Sequence, residues 1–324
     1  MPPLTSIVFT SYNHKEYLRQ ALESLLNQTY TNFELIIVDD CSTDGSQSIL
    51  KEYQRDSRVN LILSKANSGS YVNSSNYGAS FAKGDYLLFA QCDDFSEPNQ
   101  LENLVNSAMN NPDCGVVYSM SNMVDENGHR LGDDYSIRES YFKNEVKDSR
   151  KIEGKLMRRF LTYSCVIPNL SAALIKRELY LLVNGLSTDF LVAADWDFWL
   201  KLSEATDFYY IKRPLNNFRQ HGTTIRSSIK MTVQISEIYK MFYTHIKKYN
   251  LEGRQESEFK QGAGAIWFAF AIESKMGWLK SLPASIRSVR KIEPFWIYYL
   301  SLGICIQLKE YWIRKTSNNI NNYF

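Results

Sequence analysis

Four short stretches of this chain combine residue types that could do chemistry. Asp39 and Asp40 close the apolar run Glu34–Asp39. A carboxylate at such a place can accept a hydrogen bond from a nucleobase imide nitrogen, and it is equally a common turn residue. Asp93 and Asp94 follow a second apolar run, Asp85–Ala90. Adjacent carboxylates repel, and a hard divalent cation relieves the repulsion. Mg²⁺ or Mn²⁺ could there bridge a pyrophosphate to the protein and stabilise a leaving diphosphate; the other use of the pair is a solvated turn. Asp195 and Asp197 open the stretch Ala194–Ser203, which has the pattern of a helix. A carboxylate at a helix N-terminus can be a cap, or a general base that the rigid helix aims into a cleft. In Arg219-Gln-His221-Gly222, His221 could hold a metal or a phosphate and Arg219 could neutralise a diphosphate. A lone histidine is more often structural.

Other chemistries lack their motifs. The sequence has no Gly-x-Gly-x-x-Gly and no phosphate loop ending in Gly-Lys-Ser/Thr, which argues against dinucleotide oxidoreductases and P-loop kinases. It has no Gly-x-Ser-x-Gly, which argues against a serine hydrolase.

The elements that must position these residues follow from periodicity. Leu4–Thr10, Glu34–Asp39, Val59–Leu63, Asp85–Ala90 and Gly115–Ser119 read as short buried strands, and Leu170–Ile175 as a further one. Helical spacing appears after Asn13, at Ser46–Tyr53, near Ser74–Ala82 and at Pro98–Met109, with Asn13 as the expected cap of the first. Alternation of strand and helix implies an α/β fold with a mostly parallel central sheet. Ligands of such sheets bind outside the carboxyl ends of the strands, where Thr10 to Asn13, Asp39-Asp40 and Gln91 to Asp94 all fall. Val124–Gly128 reads as a hairpin turn, and the polar stretch Leu131–Lys155 as an irregular, mobile loop. From Met231 onward the apolar spacing is helical, and Gln261–Ile272 reads as a further helix.

Composition bounds the class. The chain has 324 residues, 44% of them hydrophobic, enough for a catalytic domain at 1–225 and a smaller helical region at 226–324. A net charge of +2 gives no electrostatic case for nucleic acid. The five cysteines are widely spaced without Cys-x-x-Cys, so neither a disulfide framework nor a zinc site is expected. No stretch reaches the roughly 18 apolar residues of a spanning helix, and no signal peptide is recognisable. A cytoplasmic location is therefore expected, and the sequons at Asn27, Asn73 and Asn169 read as chance.

The order of the motifs is more specific than any one of them. Ile7-Val-Phe-Thr-Ser-Tyr-Asn13, Ile37-Val-Asp-Asp-Cys-Ser-Thr-Asp-Gly-Ser46, Asn67-x-Gly69, Gly84 to Asp94, Asp195-Trp-Asp-Phe-Trp-Leu-Lys201 and Arg219-x-His221 follow one another. Over residues 4 to 225 this series closely resembles the family 2 glycosyltransferases, bacterial members with the Rossmann-like A-type fold in particular. The resemblance implies an inverting transferase that moves a sugar from a nucleotide-sugar, with UDP the commonest donor nucleotide, to a glycan or lipid-linked hydroxyl. Such enzymes act in bacterial surface polysaccharide synthesis.

It further implies roles. Thr10, Tyr12, Asn13 and Asn67 would line the donor site, with Tyr12 able to stack on the base. Asp40, and Asp39 with it, would hold the base. Asp93 would contact ribose or metal, Asp94 with His221 would hold Mn²⁺ or Mg²⁺, Arg219 would contact phosphate, and Asp195 would be the base. Three positions depart from the pattern: Gln91 stands where the metal motif has its first carboxylate, Ala194 where a glutamate precedes the base, and Ser75 where an arginine is frequent.

Gln91 and Ala194 motivate a competing reading, a nucleotide-sugar-binding protein without catalysis. A sugar nucleotidyltransferase is a third, but the Gly-rich basic opening loop of that class is absent. In the last hundred residues Arg287, Arg290 and Lys291 precede Pro294-Phe-Trp-Ile-Tyr-Tyr-Leu300, and Lys309, Arg314 and Lys315 follow. This segment could lie on the inner face of a membrane, dock as a helix, or form a homo-oligomer contact.

Overall fold

A computed structural model describes residues 2–138, 140–222, 229–273 and 277–320; the side chains of 272–281 and 314–320, Arg314 and Lys315 included, lie outside the described residues. The chain forms two compact units. The first comprises residues 1–137, 148–157 and 167–221, and the second 138–147, 158–166 and 222–324.

Ten strands build the sheet of the first unit. They are β1 (Thr5–Ser11), β2 (Phe33–Asp39), β3 (Val59–Leu63), β4 (Tyr86–Gln91), β5 (Phe95–Ser96), β6 (Cys114–Val124), β7 (Arg130–Asp133), β8 (Arg150–Ile152), β9 (Ala173–Lys176) and β10 (Asp207–Arg219). Their order is β3-β2-β1-β4-β9-β6-β10-β5, with β7 beside β6 and β8 beside β10. The β3-β2-β1-β4 half is parallel, as is the β6–β10 pair, while β9 inserts antiparallel between the two. Every residue of β1 is buried, so its side chains need apolar surroundings on both faces of the sheet. Ile7, Phe9, Leu35, Ile37 and Leu88 pack with Leu18, Leu22, Leu25, Leu101 and Leu104 of the helices α1 (Lys15–Leu26) and α4 (Gln100–Asn110) in one core cluster. Helices α2 (Ser46–Tyr53) and α3 (Tyr71–Ala79) complete the crossovers.

Most of the expected elements are present, and the differences have local causes. Asn13 does not cap α1. Its φ is 51°, and its side-chain oxygen accepts from Thr43 N at 2.8 Å, so it ties the β1 end to the loop after β2. Helix α3 begins at Tyr71 because Ser70 caps it, its hydroxyl accepting from Val72 N at 3.1 Å. The expected strand Leu170–Ile175 divides into a 3₁₀ turn, Leu170–Ala172, and β9. Leu131–Lys155 is no irregular loop: β7, the helix Ser140–Glu145 and β8 lie within it, and Phe142, Val146 and Ile152 are buried, although Leu131 and Ile137 are exposed. The turn before it is a hairpin, with Gly128 at φ 86° and β7 returning antiparallel to β6. All five cysteines are free thiols.

The second unit is helical, as expected, with Met231–Lys248, Gly253–Glu273, Gly277–Ile292 and Trp296–Ile320 as its long helices. Among the described residues no helix is long and apolar enough to cross a membrane.

Gly84 illustrates how tightly β1 and β4 are joined. Its amide donates to Ser6 Oγ at 2.8 Å, and an added Cβ would stand 2.7 Å from both Leu4 O and Ser6 N. Backbone atoms cannot step aside as a side-chain tip can. Gly84→Ala should cost about 1–3 kcal/mol, the range for overpacking a fitted site. Urea unfolding of the two proteins checks this, and an unchanged midpoint would contradict it.

Candidate active site

Strand register brings the polar residues to one edge. In the parallel pairs Thr10 aligns with Val38 on one side and Gln91 on the other, and Ser11 aligns with Asp39. The segments that follow β1, β2 and β4, namely Tyr12-Asn13, Asp40 and Cys92–Asp94, therefore leave the sheet at its carboxyl edge side by side. Thr10 and Gln91 touch through their side chains, Thr10 Oγ1 donating to Gln91 Oε1 at 3.4 Å. Tyr12 is exposed, which leaves its ring face open to stacking.

The two carboxylates at the end of β2 are both buried but have different partners. Asp39 is fully buried and accepts three hydrogen bonds, from Ser42 N at 2.9 Å, Ser42 Oγ at 2.6 Å and Gln47 Nε2 at 3.0 Å. It shapes the loop in which Cys41 stands at φ 66°. Asp40 accepts from Ser68 N at 2.8 Å and Ser68 Oγ at 2.9 Å, which ties β2 to the segment carrying Asn67 and Gly69. Asn67 closes that turn, its side chain accepting from Gly69 N at 2.6 Å. Each carboxylate oxygen has two lone pairs, so Asp40 keeps acceptor capacity after both bonds.

The pair after β4 also divides. Asp93 Oδ2 lies 3.0 Å from His221 Nε2. Asp94 is buried; Asn169 Nδ2 donates to its Oδ2 at 2.9 Å and Arg219 N to its Oδ1 at 3.1 Å. Burial pushes the Asp94 carboxyl well up from its ordinary range, and the charge of Asp93 adds to this. Burial also raises the Cys92 thiol between the two strands' ends. Among the described residues no three of His, Cys, Asp and Glu are grouped to hold a metal ion. The expected Asp93, Asp94 and His221 set is thus a facing pair, with Asp94 engaged in the interior.

Arg219 lies at the end of β10 and is 2% exposed. Its Nε donates to Asp93 O at 2.8 Å, one terminal nitrogen to Glu126 O at 2.7 Å and Asp125 O at 3.2 Å, and the other to Gln20 Oε1 at 2.6 Å. Its guanidinium lies 4.5 Å from the centre of the Tyr17 ring and 5.4 Å from that of Phe95. His221 sits beside Tyr17 and His14, with ring centres 5.3 and 5.4 Å away. Asp195 occupies the first turn of Ala194–Ser203 and accepts from Trp196 N at 2.8 Å. Asp197, two residues on, is instead buried and ion-paired with Lys201 at 3.2 Å, whose ammonium also donates to Gly185 O at 2.7 Å.

Sequence reasoning missed His14, Tyr17, Gln20 and Asn169. The first three are spaced along the start of α1, and an N-terminal turn with aromatic and amide groups beside a strand end was a signal open to use. Asn169 belongs to a sequon read as chance. It is buried, donates to Asp94 and accepts from Asn216 Nδ2 at 3.3 Å.

Residues 6–181 match the family model of glycosyl transferase family 2. The chain belongs to that family. A glycosyltransferase of Haemophilus influenzae, itself uncharacterized, is 33% identical over 230 residues, 70% of this chain and 71% of that protein. The chondroitin synthase of Pasteurella multocida is 29% identical over 221 residues, 68% of this chain but 21% of that protein. The fold is shared with S. aureus TarS in complex with UDP-GlcNAc, at a TM-score of 0.68 and 16% identity over 95% of this chain and 89% of that one. A mannosyltransferase of Pyrobaculum calidifontis, in complex with GDP-Man and Mn²⁺, superposes at a TM-score of 0.54 and 17% identity over 95% and 88%. The expected Rossmann-like A-type glycosyltransferase fold is therefore the observed one, and this family 2 enzyme is a glycosyltransferase.

The Arg219 contacts carry a consequence for the enzyme. Lysine keeps the charge but has three donors on a flexible stem, so it cannot serve the four acceptors that the planar fork reaches. Arg219→Lys should destabilise the protein by about 2–4 kcal/mol, because buried carbonyls lose their donors. Denaturant unfolding measures this, and a variant as stable as the parent would show that water or other groups satisfy those carbonyls.

Proposed function

We propose that the chain is an inverting transferase that moves a sugar from a nucleotide-sugar, UDP-linked in the first instance, to a hydroxyl of a glycan or lipid-linked acceptor. The observation that carries this reading is the pairing of Asp93 with His221 at 3.0 Å, at the carboxyl edge where the segments after β1, β2 and β4 also emerge. The relatives add context. TarS was solved with UDP-GlcNAc, and chondroitin synthase, named for a polysaccharide product, aligns over 68% of this chain, consistent with a role in polysaccharide synthesis.

In this reading the base of the nucleotide stacks on Tyr12, and Asp40 accepts from its imide nitrogen. Thr10, Asn13 and Asn67 shape the pocket walls through the loop contacts already described. Asp39 maintains the loop from beneath. Asp93 and His221 would hold the divalent cation, an oxygen and a nitrogen donor that suit Mn²⁺. When bound, the cation neutralises charge on the leaving diphosphate. We assign Asp94 and Arg219 to positioning, since Arg219 holds the Asp93 carbonyl and Asp94 is engaged by Asn169 and the Arg219 amide.

Asp195 is the proposed base. It takes the proton of the acceptor hydroxyl, whose oxygen attacks the anomeric carbon from the face opposite the diphosphate. The bond from that carbon to the phosphate oxygen breaks, the nucleoside diphosphate leaves, and the configuration inverts. Only one carboxylate base is required, because the leaving group needs no proton from the protein.

Three outcomes test this. Asp195→Asn should cut transfer by about a hundredfold or more at saturating donor, the range for losing a general base, while donor affinity stays at the parental level. Transfer by this variant at the parental rate would remove Asp195 from the mechanism. Asp40→Asn should weaken UDP binding by about tenfold, the order expected when an acceptor of one charged hydrogen bond is altered; calorimetric titration with UDP reads it, and an unchanged Kd would misplace the base pocket. Chelation should abolish transfer and Mn²⁺ restore it, whereas His221→Ala should need more Mn²⁺ for half-maximal rate. Full activity in excess chelator would show that no cation is involved.

A further inference from the structure

The near-zero net charge of the chain conceals two opposite ones. The first unit carries 17 Lys and Arg against 26 Asp and Glu, a balance of −9, and the second carries 20 against 9, a balance of +11. A positive unit of this size is attracted to anionic surfaces over the distance that salt allows.

The same unit exposes an apolar face. Its last helix, Trp296–Ile320, has an inward side that is already occupied. A Cβ at Gly303 would stand 2.2 Å from Ala265 N, so this helix packs directly on the backbone of Gly253–Glu273. Glu310 accepts from Ser140 N at 3.0 Å and from Ser140 Oγ at 2.7 Å. The outward side nevertheless carries Phe295, Ile297, Tyr298, Leu308, Tyr311 and Trp312, exposed by 47% to 72%. Four are aromatic, and Tyr and Trp suit the boundary between headgroups and acyl chains, where one end of the ring is apolar and the other wet.

Exposed cations flank this face. Arg287, Arg290 and Lys291 end the helix Gly277–Ile292, within a few residues of Phe295, and Lys309 lies in the last helix between Leu308 and Trp312. None of the four is ion-paired with another described residue, in contrast to Lys260, which is held by Glu256 and Glu293. We infer that this face of the second unit docks on an anionic lipid bilayer, with the aromatic side chains in the interface and Arg287, Arg290, Lys291 and Lys309 on the headgroups. The helix lies on the surface without crossing it. The charge complementarity selects this occupant over the same face of a second copy of the chain, which carries the same positive balance.

The test uses the full chain and two sets of vesicles, pure phosphatidylcholine and phosphatidylcholine mixed with phosphatidylglycerol. The protein should float with the anionic vesicles and not with the neutral ones, and added salt should release it. Arg287→Gln, Arg290→Gln and Lys291→Gln together should lower partitioning by about a hundredfold, at roughly fivefold per cation. Tyr298→Ser with Trp312→Ser should lower it as well, with the helical circular dichroism retained. Equal binding to both vesicle types, or binding that neither set of substitutions changes, would overturn the proposal. So would a dimer in sedimentation equilibrium that Tyr298→Ser with Trp312→Ser converts to monomer, since the face would then belong to a second copy. None of these readouts depends on sugar transfer, so they stand apart from the reading of the active site.

Discussion

The Arg219 guanidinium is the interaction on which the arrangement of the candidate site rests. It is buried at the end of the last sheet strand, and its donors reach the backbone of Asp93, the β6–β7 turn at Asp125 and Glu126, and Gln20 on the first helix. Four segments far apart in sequence are thereby held about one planar group. A buried cation would be costly if its donors lacked partners, and here carbonyl and amide oxygens and the Tyr17 and Phe95 ring faces supply them. The backbone amide of the same residue donates to Asp94. One residue thus fixes both the carbonyl of the Asp93–Asp94 peptide bond and the Asp94 carboxylate.

A second buried layer extends this control. Asp94 leads to Asn169, Asn169 to Asn216, and Asn216 Nδ2 to Ser121 Oγ at 3.1 Å. Ser121 N in turn donates to Asp134 at 2.6 Å. Networks of this kind are stronger in a low-dielectric interior than on the surface, and they penalise any shift that leaves one member unpartnered. The outcome is a division of labour between neighbouring carboxylates. Asp39 and Asp94 organise loops, whereas Asp40, also buried, ties β2 to Ser68 and Asp93 faces His221.

The two units follow different physical rules. The first derives its order from strand register, which aligns polar residues at the carboxyl edge without any residue having to find another. The second is built from helices that approach closely at glycine, Gly264 against the backbone of Tyr299 and Gly303 against that of Ala265. One of its buried polar groups is Glu293, which accepts from Tyr243 and Phe295 N and is ion-paired with Lys260, between the end of one helix and the start of the next. That unit concentrates the positive charge of the chain and the exposed aromatics, and neither property is visible in the overall composition.

The sequence by itself determined the family and, in the β1–β4 half, the alternating strands and helices and the parallel sense of the sheet. Apolar runs of strand length alternate there with helical periodicity, and motif order is a one-dimensional property. The helix Ala194–Ser203 was legible to the residue for the same reason. Tertiary structure decided what each polar residue does. Adjacent aspartates are indistinguishable in a string of letters, yet Asp94 is buried and held by Asn169 and the Arg219 amide while Asp93 faces His221, and Asp39 serves its own loop while Asp40 is tied to Ser68. Asn13 was legible as a cap and is instead a tie to Thr43, because its partner comes from the loop after another strand. Leu131–Lys155 looked structureless because its elements are short and their apolar residues few, so only packing against other parts of the chain gives them form. Arg219 was legible as a cation for phosphate, and the fold surrounds it with carbonyls instead. Such contacts join residues up to about two hundred positions apart, and local pattern carries no information at that range.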